Sequence, residues 1–252
     1  MKQIKMILFF SILMNCYSCK KYEYGHLFFD YSKIKSGVLS KVNAADCKKL
    51  QAANIDTFDL EKIKNLKKLK YLIIQKKEIN LKDVIDNLNS RENIIRLQLI
   101  NMDSLPENIS KLKKLEKLII QSGSLHSIPN EIGDLSKLEI LDLGTEMRPF
   151  QLRNSISELP NTIVKLNNLV ALSIARNKFI EFPIDICKLK GLKYLCIDDN
   201  NIKKLPDCIC ELPNLVYVIY DKDKIKIDTN SCLFEKFNLQ DKMLRSKKQM
   251  LR

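Results

Sequence analysis

The sequence has no tryptophan, two histidines and six glycines in 252 residues, and these shortages exclude several kinds of catalytic site. The glycines are scattered, so they form no glycine-rich phosphate loop. His26 and His126 are isolated from each other, so Ser/His or Cys/His catalysis would have to use single residues. Cys208-x-Cys210 has one intervening residue and no second close cysteine pair, which disfavours a metal site. The sequence therefore predicts a protein that is not an enzyme and has no cofactor, metal or small-molecule substrate.

A run of apolar residues long enough to span a bilayer is also missing from the N-terminal region. The run from Met6 to Met14 contains only Ser11 as a polar residue, follows a basic start, and is too short for a transmembrane helix. Ser18 and Cys19 come shortly after it. This arrangement resembles a bacterial lipoprotein signal, in which the cysteine after a small residue receives lipid and becomes the new N-terminus. The resemblance implies a signal peptide over 1–18, a lipid on Cys19, and a location in the bacterial cell envelope, facing the periplasm or the cell surface.

Two other interpretations of the N-terminus stay open. Cys16 stands where such signals usually have leucine, and lipidation at Cys16 would leave Asn15 before the cleaved bond. An ordinary cleaved secretory signal is the first alternative, and a cytosolic chain with an apolar start is the second.

The formal charge is strongly positive, at +13 for the whole chain. Removal of Lys2 and Lys5 with the signal would leave about +11, by subtraction. Runs such as Lys67-Lys68 are interpreted as a solvated outer face, because no basic groove with interleaved aromatic residues accompanies them. We therefore predict no nucleic-acid partner. The alternative for this charge is attraction to anionic lipid or glycan at a membrane surface.

One motif, L/I-P-x-x-I-x-x-L-x-x-L followed by x-x-L-x-L or x-x-L-x-I, recurs along about two thirds of the chain. Five clear copies are spaced 23, 31, 23 and 23 residues apart, and they begin at Leu105, Ile128, Leu159, Phe182 and Leu205. Weaker copies begin near Asp59 and Leu81. The motif predicts seven repeats over 59–230.

Each repeat contains a short strand that cannot bury its apolar face alone. In Leu172-x-Ile174 the two apolar side chains point to the same face of the strand. Stacking successive strands buries a continuous leucine and isoleucine column, so the repeats fold only as an array with capped ends. Proline is second in all five clear copies, where its fixed φ suits the turn into a return segment of 3₁₀ or short helical character.

The motif closely resembles that of the leucine-rich repeat family in its 23-residue form. The resemblance implies an α/β solenoid shaped as a horseshoe, with a parallel concave β-sheet and a convex side of 3₁₀ or short helical segments. The family's asparagine position is held by Asn177 and Asn200. Other residues occupy that position elsewhere, which predicts an interrupted asparagine ladder: Lys77, Met102, Gly123, Glu146 and Asp223.

Three segments depart from the repeats. Residues 19–58 are predicted to be a lipidated linker and N-terminal cap, with a short helix near 44–53. Residues 231–252 are predicted to be a C-terminal cap helix with a basic tail. Between Gly144 and Asn154 one repeat carries about eight extra residues. That insertion is interpreted either as a contact loop or as a bulge packed on the solenoid.

Six of the eight cysteines would remain unmodified if Cys16 and Cys19 belong to the signal and its lipid site. Cys187 and Cys210 occupy the same position in adjacent repeats, which brings them near a bridgeable distance. We expect free thiols at Cys187 and Cys196, since a free cysteine packs as a small apolar residue. The alternative is a bridge from Cys232 to Cys208 or Cys210.

The predicted binding surface is the concave face, where outward residues alternate with the buried leucines. Its first strands are basic and its last strands aromatic and acidic. The predicted partner-contacting residues are Arg96, Lys117, Asp142, Tyr194, Asp198, Tyr217 and Asp221.

The predicted function is that of a membrane-anchored binding module for a protein partner, and we expect a monomer. The first alternative is a binder of envelope glycan or cell wall, which would need more aromatic residues in a groove. The second is an immunity-type inhibitor lipoprotein that uses the same face.

Overall fold

The computed structural model describes residues 49–52, 64–75, 80–121, 123–144 and 153–235. Its strands form one parallel eight-stranded sheet in which spatial order follows chain order. The strands are β1 (Lys49–Ala52), β2 (Tyr71–Gln75), β3 (Arg96–Ile100), β4 (Lys117–Gln121), β5 (Ile140–Asp142), β6 (Ala171–Ser173), β7 (Tyr194–Cys196) and β8 (Tyr217–Ile219). This arrangement confirms the predicted solenoid.

The register of the sheet follows from the buried leucine column. Each strand from β2 to β8 aligns its first inward residue with that of the next strand, so every such side chain is flanked by apolar neighbours. All members of this column are at most 2% exposed: Leu72, Leu97, Leu118, Leu141, Leu172, Leu195 and Val218.

The return segments are 3₁₀ helices, as the prolines predicted. Five of them begin directly after a proline: Glu107–Lys111, Asn130–Asp134, Asn161–Lys165, Ile184–Lys188 and Asp207–Glu211. The isoleucine at the third position of each segment is fully buried, at 0% exposure. A shorter 3₁₀ segment, Arg91–Asn93, precedes β3.

The return segment between β2 and β3 contains an α-helix. Helix α1 spans Leu81–Asn87, and the side chain of Asn80 accepts a hydrogen bond from the backbone N–H of Lys82 at its start. Asp86 contacts the next return segment through Lys111 Nζ at 2.6 Å. The hydrogen bonds from Lys111 and then Asn108 lower the pKa of Asp86, because both favour its charged form.

The sheet begins one strand earlier than the repeats predicted. The short helix expected near 44–53 is wrong over Lys49–Ala52, which form β1 and pair with Tyr71–Ile74 of β2. The edge of β2 offers unpaired N–H and C=O groups, and pairing with that edge outweighs local helix propensity. Except for β1, residues 19–58 lie outside the described part of the chain.

The C-terminal end is helical over 232–235, and Leu233 is buried against the solenoid at 3% exposure. The rest of the predicted cap helix and the basic tail lie outside the described residues, so the assignment of 231–252 stays a prediction. Within the described ranges no helix is long and apolar enough to cross a membrane. The signal segment, 1–18, and Cys19 also lie outside those ranges.

Two disulfide bonds link the last return segments and the cap. Cys187 pairs with Cys208, and Cys210 pairs with Cys232, with Cα–Cα distances of 5.8 and 6.2 Å. The prediction of a free thiol at Cys187 is therefore wrong, whereas Cys196 is buried and, as predicted, forms no disulfide with another described cysteine. The bridge from Cys232 uses Cys210, one of the two partners considered from the sequence.

Candidate functional site

The concave face consists of rows of outward side chains that run across the strands. The strand-start row contains the first residue of each strand from β2 to β8: Tyr71, Arg96, Lys117, Ile140, Ala171, Tyr194 and Tyr217. The middle row lies two residues further along: Ile73, Gln98, Ile119, Asp142, Ser173, Cys196 and Ile219. Four of the seven predicted contact residues therefore lie in the strand-start row.

The strand-start row is more accessible than the middle row, although Ala171 and Tyr217 within it are buried. Tyr71 is 41% exposed, and Arg96, Lys117 and Tyr194 are half-buried. Tyr217 is 7% exposed because it stacks on Tyr194, with ring centroids 5.8 Å apart and an interplanar angle of 17°. The parallel register puts these two tyrosines side by side on β7 and β8. Their stack puts two packed aromatic rings on the last strands, and Tyr194 is the more exposed of the two.

The middle row is mostly internal to the fold. Asp142 was predicted to contact a partner, but it is 2% exposed and its carboxylate accepts a hydrogen bond from the backbone N–H of Gly144 at 3.1 Å. Ser173 and Cys196, further along the row, are both 3% exposed. Side chains on adjacent strands are about 4.8 Å apart, so each one is covered by its row neighbours.

Asp198, the second predicted acidic contact, is also buried. Its exposure is 1%, and its carboxylate accepts a hydrogen bond from the Cys196 thiol at 3.0 Å. Burial of Asp142 and Asp198 removes both carboxylates from the surface that a partner can touch in this conformation. We therefore narrow the predicted contact set to Arg96, Lys117, Tyr194, Tyr217 and Asp221.

Asp221 belongs to a charged network beyond the ends of the strands. Its carboxylate accepts the backbone N–H of Asp199 at 2.8 Å and pairs with Lys224 at 3.2 Å. Asp199 in turn pairs with Arg153 Nη1 at 2.9 Å and with Arg176 Nε at 3.7 Å. The repeat pattern did not predict that Asp199, Arg153 and Arg176 come together in this network.

Two residues of this network have an unusual backbone conformation. The residue types at these positions are a sign of the network that the sequence offers. Arg176 and Asp199 each precede a ladder asparagine, and both have positive φ, 58° and 53°. Asn101 occupies the equivalent position in an earlier repeat, with φ 58°. In these three repeats the residue before the asparagine position is held in the left-handed region, which asparagine and aspartate tolerate better than arginine. An arginine there is an unusual feature that a reader of the sequence could notice.

The asparagine ladder is longer than predicted. Asn177 donates to the carbonyls of Leu143, Ile174 and Ala175, and its side-chain oxygen accepts the N–H of Ile156 at 3.1 Å. Asn200 repeats this pattern one repeat later, with its side-chain oxygen accepting the N–H of Phe179.

Asn154 occupies the asparagine position of its repeat. Counting along the chain had assigned that position to Glu146. It accepts the N–H of Leu125 at 3.1 Å and donates to the carbonyl of Leu143 at 2.8 Å. The extra residues therefore lie between the strand and its ladder asparagine. Residues 145–152 of this insertion lie outside the described residues, so both interpretations of it stay predictions.

The described residues contain no assembled catalytic site. Ser155 Oγ contacts His126 Nδ1 at 2.5 Å, but His126 has no carboxylate partner among the described residues to orient it. In the same ranges no group of three or more His, Cys, Asp or Glu residues could hold a metal ion.

Comparisons with known proteins identify similar structures. No protein-family model matches the chain, and no curated protein matches it by sequence. A leucine-rich repeat protein of Leptospira interrogans is similar with a TM-score of 0.55 and 24% identity, covering 71% of this chain and 49% of its own. Internalin C2 of Listeria monocytogenes is similar with a TM-score of 0.51 and 21% identity, covering 65% of this chain and 66% of its own.

A third similar structure is the Toll–Spätzle complex of Drosophila. The TM-score is 0.53 at 18% identity, and the match covers 66% of this chain and 23% of that chain. This chain thus spans about half of the Leptospira protein and less than a quarter of the Drosophila chain. At these identities the likeness concerns the fold.

Proposed function

We propose that this chain, which has the leucine-rich repeat fold, is a binding module for a protein partner. The proposed module is non-catalytic and monomeric. The partner contacts the strand-start row of the concave face. A lipid on Cys19 anchors the module to a membrane of the bacterial cell envelope.

The stacked pair Tyr194 and Tyr217 is the observation that supports this binding role most directly. Tyrosine is enriched in the energetically dominant parts of protein interfaces, because it combines a large apolar area with a polar hydroxyl. Tyr194 lies beside Ala171 on the preceding strand, so the fold accepts a small residue in this row and does not need the ring there.

The disulfides support the export part of the proposal. Four of the five cysteines in the described residues are paired. Disulfides persist in oxidising compartments such as the periplasm and the cell exterior, and they are rare in the cytosol. The likeness to the Toll–Spätzle complex supports the binding part, since that structure holds a repeat protein together with a protein partner.

Capture from envelope extract or host material tests the proposed face. The full chain is compared with Tyr194→Ala combined with Tyr217→Ala, and with a control that carries Lys113→Glu and Lys114→Glu on the return side. We expect the tyrosine variant to bind its partner at least about thirtyfold more weakly, since loss of two aromatic anchors costs about 2 kcal/mol or more. The lysine control should change mainly the salt dependence. Loss of capture in the control with full capture by the tyrosine variant would reject the concave face as the site.

A further inference from the structure

The two long edges of the solenoid differ in charge. The strand-entry edge consists of the turns that lead into β2 to β8, all within the described residues: 67–70, 89–95, 113–116, 136–139, 167–170, 190–193 and 213–216. Its basic residues are Lys67, Lys68, Lys70, Arg91, Lys113, Lys114, Lys137, Lys190 and Lys193, and its acidic residues are Glu92, Glu116 and Glu139. This edge therefore has a large excess of positive charge.

The opposite edge provides an internal comparison, because the same repeats build both. The strand-exit edge consists of the loops that leave the strands, and its described parts are 101–105, 123–128, 153–159, 174–182, 197–205 and 220–227. Its basic residues are Arg153, Arg176, Lys178, Lys203, Lys204, Lys222, Lys224 and Lys226, and its acidic residues are Asp103, Glu158, Glu181, Asp198, Asp199, Asp221 and Asp223. The described part of the strand-exit edge is thus nearly neutral.

The acids of the return segments do not neutralise the strand-entry edge. Each 3₁₀ segment runs from the strand-exit edge to the strand-entry edge, and most of its acids lie in its first half: Glu107, Glu131, Asp185 and Asp207. Lys111 and Lys165 end two of these segments and pair with Asp86 and Asp134. Glu211 is the one acid at a segment end without such a pair in the described residues, and the excess of positive charge remains.

Side-chain hydrogen bonds connect the turns of the strand-entry edge to one another. Asn93 Nδ2 donates to the carbonyl of Lys67 at 3.4 Å, and Lys114 Nζ donates to Asn93 Oδ1 at 3.4 Å. Asn168 and Asn214 also donate to a carbonyl of the preceding turn, at 2.7 and 2.8 Å. The turns are therefore held side by side, and their lysines form one linear row across the repeats.

The lysines of this row are exposed charges. Six of them form no ion pair with another described residue: Lys67, Lys70, Lys113, Lys137, Lys190 and Lys193. Like charges that the fold holds in a row repel one another, and a bound polyanion would remove that repulsion. The row therefore fits a linear ligand with repeated negative charge.

The other groups of the strand-entry edge favour a polysaccharide over other polyanions. These turns contain no aromatic residue on which the bases of single-stranded nucleic acid could stack. Val216 is the one large apolar side chain exposed in them, so the edge has little to insert into a bilayer. Asn168 and Asn214 are exposed and use an N–H on a carbonyl, so their amide oxygens can accept a hydrogen bond from a ligand. Sugar hydroxyls are such donors, whereas ionised phosphate groups are not.

We propose that the strand-entry edge binds a linear acidic polysaccharide. Its carboxylates lie on the lysine row, and its hydroxyls donate to the asparagine oxygens between the lysines. The sugar chain follows the row along the length of the solenoid. The contact does not use the stacked tyrosines of the concave face.

Binding of a fluorescent polygalacturonate oligosaccharide to the full chain tests this edge. Lys67→Gln with Lys113→Gln and Lys137→Gln removes three positive charges from the row. We expect this edge variant to bind at least about tenfold more weakly, because exposed ion pairs contribute modestly one by one and add along a row. The matched control, Lys178→Gln with Lys203→Gln and Lys204→Gln, removes the same charge from the strand-exit edge. It should change the affinity by less than about threefold.

Two further probes test the chemistry of the ligand. The methyl-esterified oligosaccharide keeps the sugars and loses the charge, so it should not bind. Polyphosphate of equal charge keeps the charge and lacks hydroxyls, so it should bind more weakly than polygalacturonate. Tyr194→Ala with Tyr217→Ala should bind the sugar like the parent chain, which separates this proposal from the one for the concave face.

Protection of lysines from acetylation locates the contact, since the basic tail is common to all variants. Bound polygalacturonate should protect Lys113 and Lys137, while Lys178 and Lys203 stay reactive. Equal protection at the two edges, or equal affinity of the edge variant and its control, would overturn the proposal. Tighter binding of single-stranded DNA or of phosphatidylglycerol vesicles than of polygalacturonate would also overturn it.

Discussion

At the scale of single residues, the buried asparagines carry the most specific chemistry of this fold. An asparagine amide donates two hydrogen bonds and accepts others, so one side chain can satisfy the N–H of one loop and the carbonyls of its own loop. Asn154, Asn177 and Asn200 do this in three successive repeats at 4 to 7% exposure. The loops that leave the strands have no regular ladder of their own, and these amides replace it.

Replacement of Asn200 tests this role. Asn200→Ala leaves buried groups of Phe179 and Ile197 without a partner, and each such group costs about 1 to 3 kcal/mol. We expect a loss of about 3 to 5 kcal/mol in the free energy of unfolding, measured in urea. Asn201→Ala is the control, because that residue is exposed and should change stability by less than about 0.5 kcal/mol. Equal effects of the two changes would contradict the ladder.

At the scale of elements, the disulfides show how one 3₁₀ segment faces two neighbours. Cys208 and Cys210 flank the buried Ile209 in the segment Asp207–Glu211. The residue before the isoleucine bonds back to Cys187 of the preceding segment, and the residue after it bonds forward to Cys232 of the cap. The three elements are therefore joined in series by covalent bonds.

Removal of each pair separately should measure its contribution. Each bond closes a loop of about 22 residues, for which the chain-entropy model gives about 3 kcal/mol. We expect Cys187→Ser with Cys208→Ser, and Cys210→Ser with Cys232→Ser, each to lower the thermal midpoint by several degrees. Cys196→Ser serves as the comparison, since that thiol forms no disulfide with another described cysteine. A midpoint that is insensitive to reducing agent would show that the bonds do not form in solution.

Most of the elements could be predicted from the sequence, because proline and the leucine spacing report backbone geometry directly. The strand register and the 3₁₀ segments follow from those residues. The Cys187–Cys208 bond could not be predicted, because the repeat count pairs equivalent positions, Cys187 with Cys210, and Cys208 lies two residues before the equivalent position. Burial of Asp142 and Asp198 was also missed, because alternation gives the face of a side chain and not its exposure.

At the scale of the whole molecule, the repeats form a one-dimensional array with distinct surfaces. One side presents the stacked tyrosines, and the leucine column lies between the sheet and the return segments. Each repeat contacts only its neighbours, so stability is the sum of local terms and nearest-neighbour interfaces. A binding surface on one side can therefore change with little effect on the fold.

Cellular location is a property of the whole chain, and it depends on the N-terminal segment. We expect Cys19→Ser to move the protein from the membrane fraction to the soluble fraction, because the anchoring lipid is lost. Cys16→Ser should leave it in the membrane fraction. Labelling with an alkyne fatty acid measures the modification directly, and label that persists in Cys19→Ser would reject this residue as the lipid site.

The position of Asn154 shows that a repeat can contain extra residues and still keep its regular geometry. This repeat has more residues than its neighbours, but its hydrogen bonds are the regular ones. The Asn154 side chain bonds to Leu125 and Leu143 much as the Asn177 side chain bonds to Ile156 and Ile174. The entropic cost of a longer loop grows only with the logarithm of its length. The point between Gly144 and Arg153 is therefore a natural graft point, where a foreign peptide epitope can be displayed or exchanged while the rest of the solenoid keeps its spacing.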